Sequence, residues 1–113
     1  MDYVNEFDLE FRGGKSSVKY LFRGPRIDWG VVVFNPGETL GHHFHERVEE
    51  TFFFIAGKGG KMVVNGELRH IRIGDAYRLE PQDRHDIIND TDAPLKAVFI
   101  KSAYDPKDKV DVK

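Results

Sequence analysis

Two histidines, His43 and His45, stand two residues apart in a stretch that reads as β structure. Alternate side chains of an extended chain share a face, so both imidazoles can turn to one point. Neutral imidazole is the commonest metal donor in proteins. Glu50 lies in the next apolar run, where a neighbouring strand can carry its carboxylate to the same point, and His85 in a later segment supplies a third imidazole. Three nitrogens and one carboxylate make a borderline-hard site suited to Fe(II), Mn(II), Ni(II), Co(II) or Zn(II), and unsuited to Cu(I). On a six-coordinate ion such a set leaves two positions for water, oxygen or a bidentate substrate, and open positions separate a catalytic centre from a structural one. One divalent ion is therefore the expected cofactor.

Bringing these donors together is a task for strands. Between residues 17 and 103 the chain breaks into short β-branched and aromatic runs at 18–22, 27–34, 48–56, 61–64, 68–73, 76–79, 85–88 and 95–100, separated by Gly, Pro, Asn and Asp. No window holds a helical period with caps at both ends. The rhythm predicts an all-β barrel or sandwich. Asn65-Gly66 predicts a type I′ hairpin turn, after which Ile71 and Ile73 share one strand face with Glu67 and Arg69. One face of that return strand is expected to be buried and the other wet. Along the run that holds Glu50, residues Phe52, Phe54 and Ala56 share its inner face, leaving Thr51, Phe53 and Ile55 outside. An outward apolar pair on a small domain needs cover, and a homodimer is the expected source of it.

The spacing resembles that of the cupin superfamily. The family's first motif, G(x)5HxH(x)3–4E(x)6G, is matched by Gly37, His43, His45, Glu50 and Gly57; its second, G(x)5PxG(x)2H(x)3N, is matched at Gly74, His85 and Asn89. Pro81 stands one place later than the motif's proline, and Gln82 occupies the place of its second glycine, which bears on the turn before His85. The resemblance implies a single-domain double-stranded β-helix, a jelly-roll-like conical barrel of two facing antiparallel sheets. The ion would lie inside, on His43, His45, Glu50 and His85. It divides the chain into an N-terminal strand or arm at 1–16, the barrel domain at 17–103 and a charged tail at 104–113, expected to be loosely held or to lie on a partner subunit.

Other residues compete for roles. Glu49 could serve as the carboxylate, but only Glu50 places the motif's closing glycine at Gly57. His42, next to His43, faces away on a regular strand, and His70 falls on the wetter face of its hairpin. Asn89 follows His85 on the same strand face, either as a substrate or ligand-supporting hydrogen bonder or as a turn residue before Asp90-Thr91-Asp92. Tyr77 is a candidate proton donor, with a packed core tyrosine as the other reading. Lys101 and Arg78 are possible anion contacts with no motif behind them.

Composition narrows the class. The chain has 113 residues, enough for one ordinary domain, with 40% apolar residues including nine Phe, so a packed core is affordable and global disorder is excluded. Seventeen Lys and Arg against nineteen Asp and Glu give a net charge of −2 without a basic field, which argues against nucleic acid. Cysteine is absent, removing disulfides and thiol chemistry, and the acidic start and short apolar runs suggest neither leader nor membrane span, consistent with a cytoplasmic protein. The expected function is metal-dependent catalysis on a small polar substrate, of dioxygenase, isomerase or decarboxylase type. The alternative is a non-enzymatic module that binds or senses a sugar or small acid.

Overall fold

The computed structural model of the chain describes residues 1–13 and 16–113. After a 3-10 turn at Glu6–Asp8 it is built of ten strands: β1 Ser17–Arg23, β2 Asp28–Phe34, β3 His43–His45, β4 Glu50–Ala56, β5 Gly60–Val64, β6 Glu67–Ile71, β7 Ala76–Leu79, β8 His85–Ile88, β9 Leu95–Lys101 and β10 Lys109–Asp111. They form two five-stranded antiparallel sheets, in the orders β1-β2-β9-β4-β7 and β10-β3-β8-β5-β6. The all-β, double-stranded β-helix architecture stands, with one qualification of shape. Among the described residues the two sheets are not joined by strand pairing into a closed barrel.

Alternation along the strands decides what each sheet turns inward. On β9, Leu95, Ala97 and Phe99 are buried while Ile100 is exposed; on β4, Glu50, Phe52 and Phe54 are buried while Phe53 and Ile55 stay open at 44% and 39%. Val32, Phe34, Met62, Leu79 and Ile87 complete the core between the layers. The Asn65-Gly66 turn has both residues at positive φ, 50° and 82°, and Val64 pairs with Glu67 directly across it. The expected buried face of the return strand shrinks to one residue. Because β6 is an edge strand, Glu67 through His70 are exposed and only Ile71 is buried.

Both ends of the described chain fold back on the sheets. Near the start, the Lys19 ammonium donates to the Glu6 carbonyl at 2.9 Å under the rings of Phe7 and Phe11, and Lys96 pairs with the Glu6 carboxylate at 2.8 Å. The charged tail is not loose either. Lys109, Val110 and Asp111 pair with His45, Phe44 and His43, covering the edge of β3 within the same chain. What holds the tail is backbone pairing on an otherwise open edge, which a count of its few apolar residues does not reveal.

Candidate metal centre

The short strand β3 points His43 and His45 inward and Phe44 toward the surface side. His43 is the direct partner of His85 on β8, and Glu50 enters from the first position of β4 in the facing sheet. All four are buried, and one donor atom from each lies within 4.8 Å of every other, so the cluster could hold one ion. The His43 and His85 rings stand 4.3 Å apart.

Backbone hydrogen bonds set the tautomers. His43 Nδ1 lies 2.7 Å from the Gly41 carbonyl and His85 Nδ1 lies 2.9 Å from the Asp83 carbonyl. A carbonyl only accepts, so each Nδ1 carries the proton and each ring turns its Nε2 toward the cluster. His45 Nε2 sits 3.1 Å from Glu50 Oε1, within hydrogen-bond reach. His85 Nε2 is 3.6 Å from the same oxygen and is buried without a hydrogen-bond partner. Leaving a buried polar atom unpaired costs about 1–3 kcal/mol, and coordination to a cation would remove that cost. The orphaned nitrogen and the imidazole–carboxylate donor set fit a divalent metal.

The electrostatics keep both donor types in ligating form. Burial alone would raise the Glu50 carboxyl, but the bond with His45, the nearby His85 and the more distant Lys101 charge hold it below the usual carboxylate range. His43 is lowered to about 3, first by burial and then by the neighbouring His85, against the opposing pull of the Gly41 carbonyl. Around neutral pH the centre therefore presents a carboxylate and, at His43, a neutral imidazole.

The motif positions have local reasons. Gly57 ends β4 at φ 125°, where a Cβ would stand 2.6 Å from the Pro94 carbonyl, so only glycine lets this end of the strand lie against the next turn. Gln82 keeps the left-handed backbone that the missing glycine would have taken, with φ 76°. Its N–H donates to the His45 carbonyl at 2.7 Å and its side-chain amide to the Glu46 carbonyl at 3.1 Å, clipping the turn before His85 onto β3.

Several expected residues lie elsewhere. Asn89 is fully buried, but its amide donates to the Phe34 and Ala93 carbonyls at 2.7 and 2.8 Å and accepts from Thr91. Of its two readings, this placement is the turn residue: no polar atom is left for a ligand. Tyr77 packs edge-on to Phe54 at 6.1 Å with its hydroxyl toward Asp75, outside the wall of the cavity that reaches the cluster. That placement is core packing, away from the cluster. Burial and the Asp75 charge raise its pKa. His70 is exposed, and His42 is exposed at the cavity rim. Glu49 accepts no place in the cluster and instead faces Arg78 at 3.9 Å.

Two features escaped sequence reasoning. Asp108, completely buried, accepts from the Arg47 and Val48 amides at 2.9 and 3.0 Å and approaches His45 Nδ1 to 3.7 Å. No spacing rule links it to His45. A cavity of about 770 Å³ opens onto His43, His45 and Glu50, and its wall includes Tyr20, Arg23 and Lys101. Inward alternation on β1 was the available signal for Tyr20, whereas Lys101 was already a possible anion contact.

Two antiparallel sheets enclosing a His-rich, Glu-bearing cluster define a protein of the double-stranded β-helix class. The family model described as Cupin domain matches residues 30–101, well over half of the chain, and the chain belongs to that family. Among solved structures it is similar to a conserved double-stranded β-helix protein of Klebsiella pneumoniae, with TM-score 0.84 and 19% identity over 100% of this chain and 99% of that one. It is similar to KdgF from a Halomonas species, with TM-score 0.80 and 18% identity over 93% and 96% of the two chains. An oxalate oxidase in complex with the substrate analogue glycolate gives TM-score 0.77 and 18% identity over 97% of this chain and 63% of that one. No helix among the described residues is long and apolar enough to cross a membrane.

Proposed function

We propose that this cupin is a metal-dependent enzyme acting on a small polar molecule, with one divalent ion held by His43, His45, Glu50 and His85. The observation that carries the reading is the buried, unpartnered Nε2 of His85 within a cluster whose donors come from both sheets. A bound ion supplies Lewis acidity and open coordination positions, the chemistry of isomerases and decarboxylases and, with a redox metal, of dioxygenases. The residues of the chain keep Glu50 anionic and His43 neutral, fix the tautomers of His43 and His85, and wall the cluster with Phe52, whose ring lies 6.1 Å from that of His85. The cavity supplies room for the substrate.

Elemental analysis of protein purified without a metal-affinity tag tests the reading. One equivalent of metal is expected, lost in His43→Ala and His85→Ala. Oxygen uptake by the Fe(II)-reconstituted protein with catechols, thiols or keto acids assigns dioxygenase chemistry; turnover without uptake assigns a Lewis-acid reaction. Metal and ligand binding without turnover would return the protein to the binding-module reading. Failure to retain any divalent ion would remove the proposal.

For the outer sheet face, where Phe53, Ile55 and Ile100 lie exposed, the proposed cover is a second copy of the chain. Light scattering should give twice the 13.0 kDa chain mass, and Phe53→Glu should give a monomer.

A further inference from the structure

We propose that the cavity beside the metal cluster is built to take a small carboxylate-bearing molecule, whose anionic group is gripped by Lys101 and Tyr20. This rests on the metal-centre reading and adds a substrate class to it.

Lys101 is the direct cross-strand partner of Glu50 on β4. Side chains in that relationship leave the same face of the sheet with Cβ atoms about 4.5–5.5 Å apart, so a cation rises from the wall beside a metal donor. Its ammonium, half-buried, donates to the Tyr20 hydroxyl at 3.0 Å and rests near the rings of Tyr20 and Phe99. Among the described residues that neutral hydroxyl is its sole hydrogen-bond partner. Lys96, five positions earlier on the opposite sheet face, has found the Glu6 carboxylate. Glu50 itself is engaged by His45 and, in the metal-centre reading, by the ion. Lys101 is thus a partly desolvated cation without a dedicated counter-ion.

Tyr20 completes the grip. Because its oxygen accepts from Lys101, its own O–H remains available to donate. The ring stands edge-on to Phe99 at 5.2 Å and carries the Arg23 guanidinium at 3.9 Å and that of Arg12 at 5.3 Å. Arg23 is paired with the buried Asp28 at 3.3 Å, whereas Arg12 has no carboxylate partner among the described residues and adds a further cation to a wall that also carries Asp105 and Asp111. Local backbone geometry makes this possible. The β1–β2 register shifts just after Tyr20, and its partner Gly30 must lack a Cβ, which would run into the Lys19 carbonyl. An ammonium and a phenol O–H on one wall and the metal donors beside them suit a molecule with oxygen at one end and a carboxylate at the other.

Calorimetric titration of the metal-loaded protein with malonate and succinate, and with the neutral malonamide and succinamide, tests the inference, with metal content measured in parallel. At least one diacid should bind about tenfold or more tighter than its diamide. In metal-loaded protein, Lys101→Met should remove about tenfold of that preference while leaving diamide binding unchanged, and Lys101→Arg should restore most of it; Tyr20→Phe should weaken the diacid by a smaller factor. A preference that persists undiminished in Lys101→Met would come from the ion alone and would overturn the inference, as would equal binding of acid and amide. If wild type retains no metal, the metal-centre reading falls, and the same comparison on the metal-free protein still decides the role of Lys101. Should Lys101→Met fail to fold by circular dichroism, Lys101→Gln serves in its place.

Discussion

Asp108, just before β10, holds its carboxylate 3.7 Å from Nδ1 of His45. The separation is too long for a hydrogen bond, but the charge favours a proton on Nδ1, which would free Nε2 to give up its bond with Glu50 and ligate an ion as a lone pair. Asp108→Asn should lower metal affinity by up to about tenfold, read by competition with a fluorescent chelator. Asp108→Ala should in addition destabilise the fold by about 2–3 kcal/mol in urea melts, because the Arg47 and Val48 amides lose their acceptor. Equal metal affinity in wild type and Asp108→Asn would confine the residue to holding the loop.

Metal-free protein should weaken in mild acid. His43 is lowered from 6.5 to about 3 by burial and by His85, so between those values the unfolded chain binds a proton that the folded chain refuses. Stability therefore rises with pH across this window and is lost as pH falls through it, at up to about 1.4 kcal/mol per pH unit from this group. Denaturant midpoints measured from pH 7 to 4 should show the slope, and His43→Gln should flatten it.

Gln82 offers a test of backbone strain. Its φ of 76° is tolerable for an unbranched residue and poor for a β-branched one. Gln82→Val should cost about 1–2 kcal/mol, whereas Gln82→Gly should stay within about 1 kcal/mol of wild type, relief of strain being offset by unfolded-chain freedom and the lost bond to Glu46. Thermal melts of the two variants decide it, and identical losses would refute the argument.

Metal removal should be visible without any assay of turnover. A ligand that binds only the folded state at a hundred times its Kd adds about 2.7 kcal/mol, so chelation should lower the melting temperature by several degrees. In His85→Ala, where the orphaned Nε2 is gone, chelator should change it little.

The four clustered donors were readable because a two-residue period and the Gly57 spacing both act within or next to single strands. The hairpin at Asn65-Gly66 was readable for the same reason: its dihedrals depend on local chemistry. Asn89 shows the limit. Its position matches the motif, yet its role depends on carbonyls of Phe34 and Ala93, and sequence spacing cannot display where a carbonyl points. The tail was misread on its charge. Its strand offers a single apolar side chain, Val110, and its burial of Asp108 relies on main-chain amides in a loop far upstream.

The arrangement of donors also bears on mechanics. Three of them belong to one layer and the fourth to the other, and among the described residues no strand pairing stitches the layers together. An ion bound here would act as a rivet through an otherwise greasy seam. Amide exchange in β3, β4 and β8 should then slow in concert when the rivet is set, so that loading is felt as stiffness well beyond the atoms that touch it.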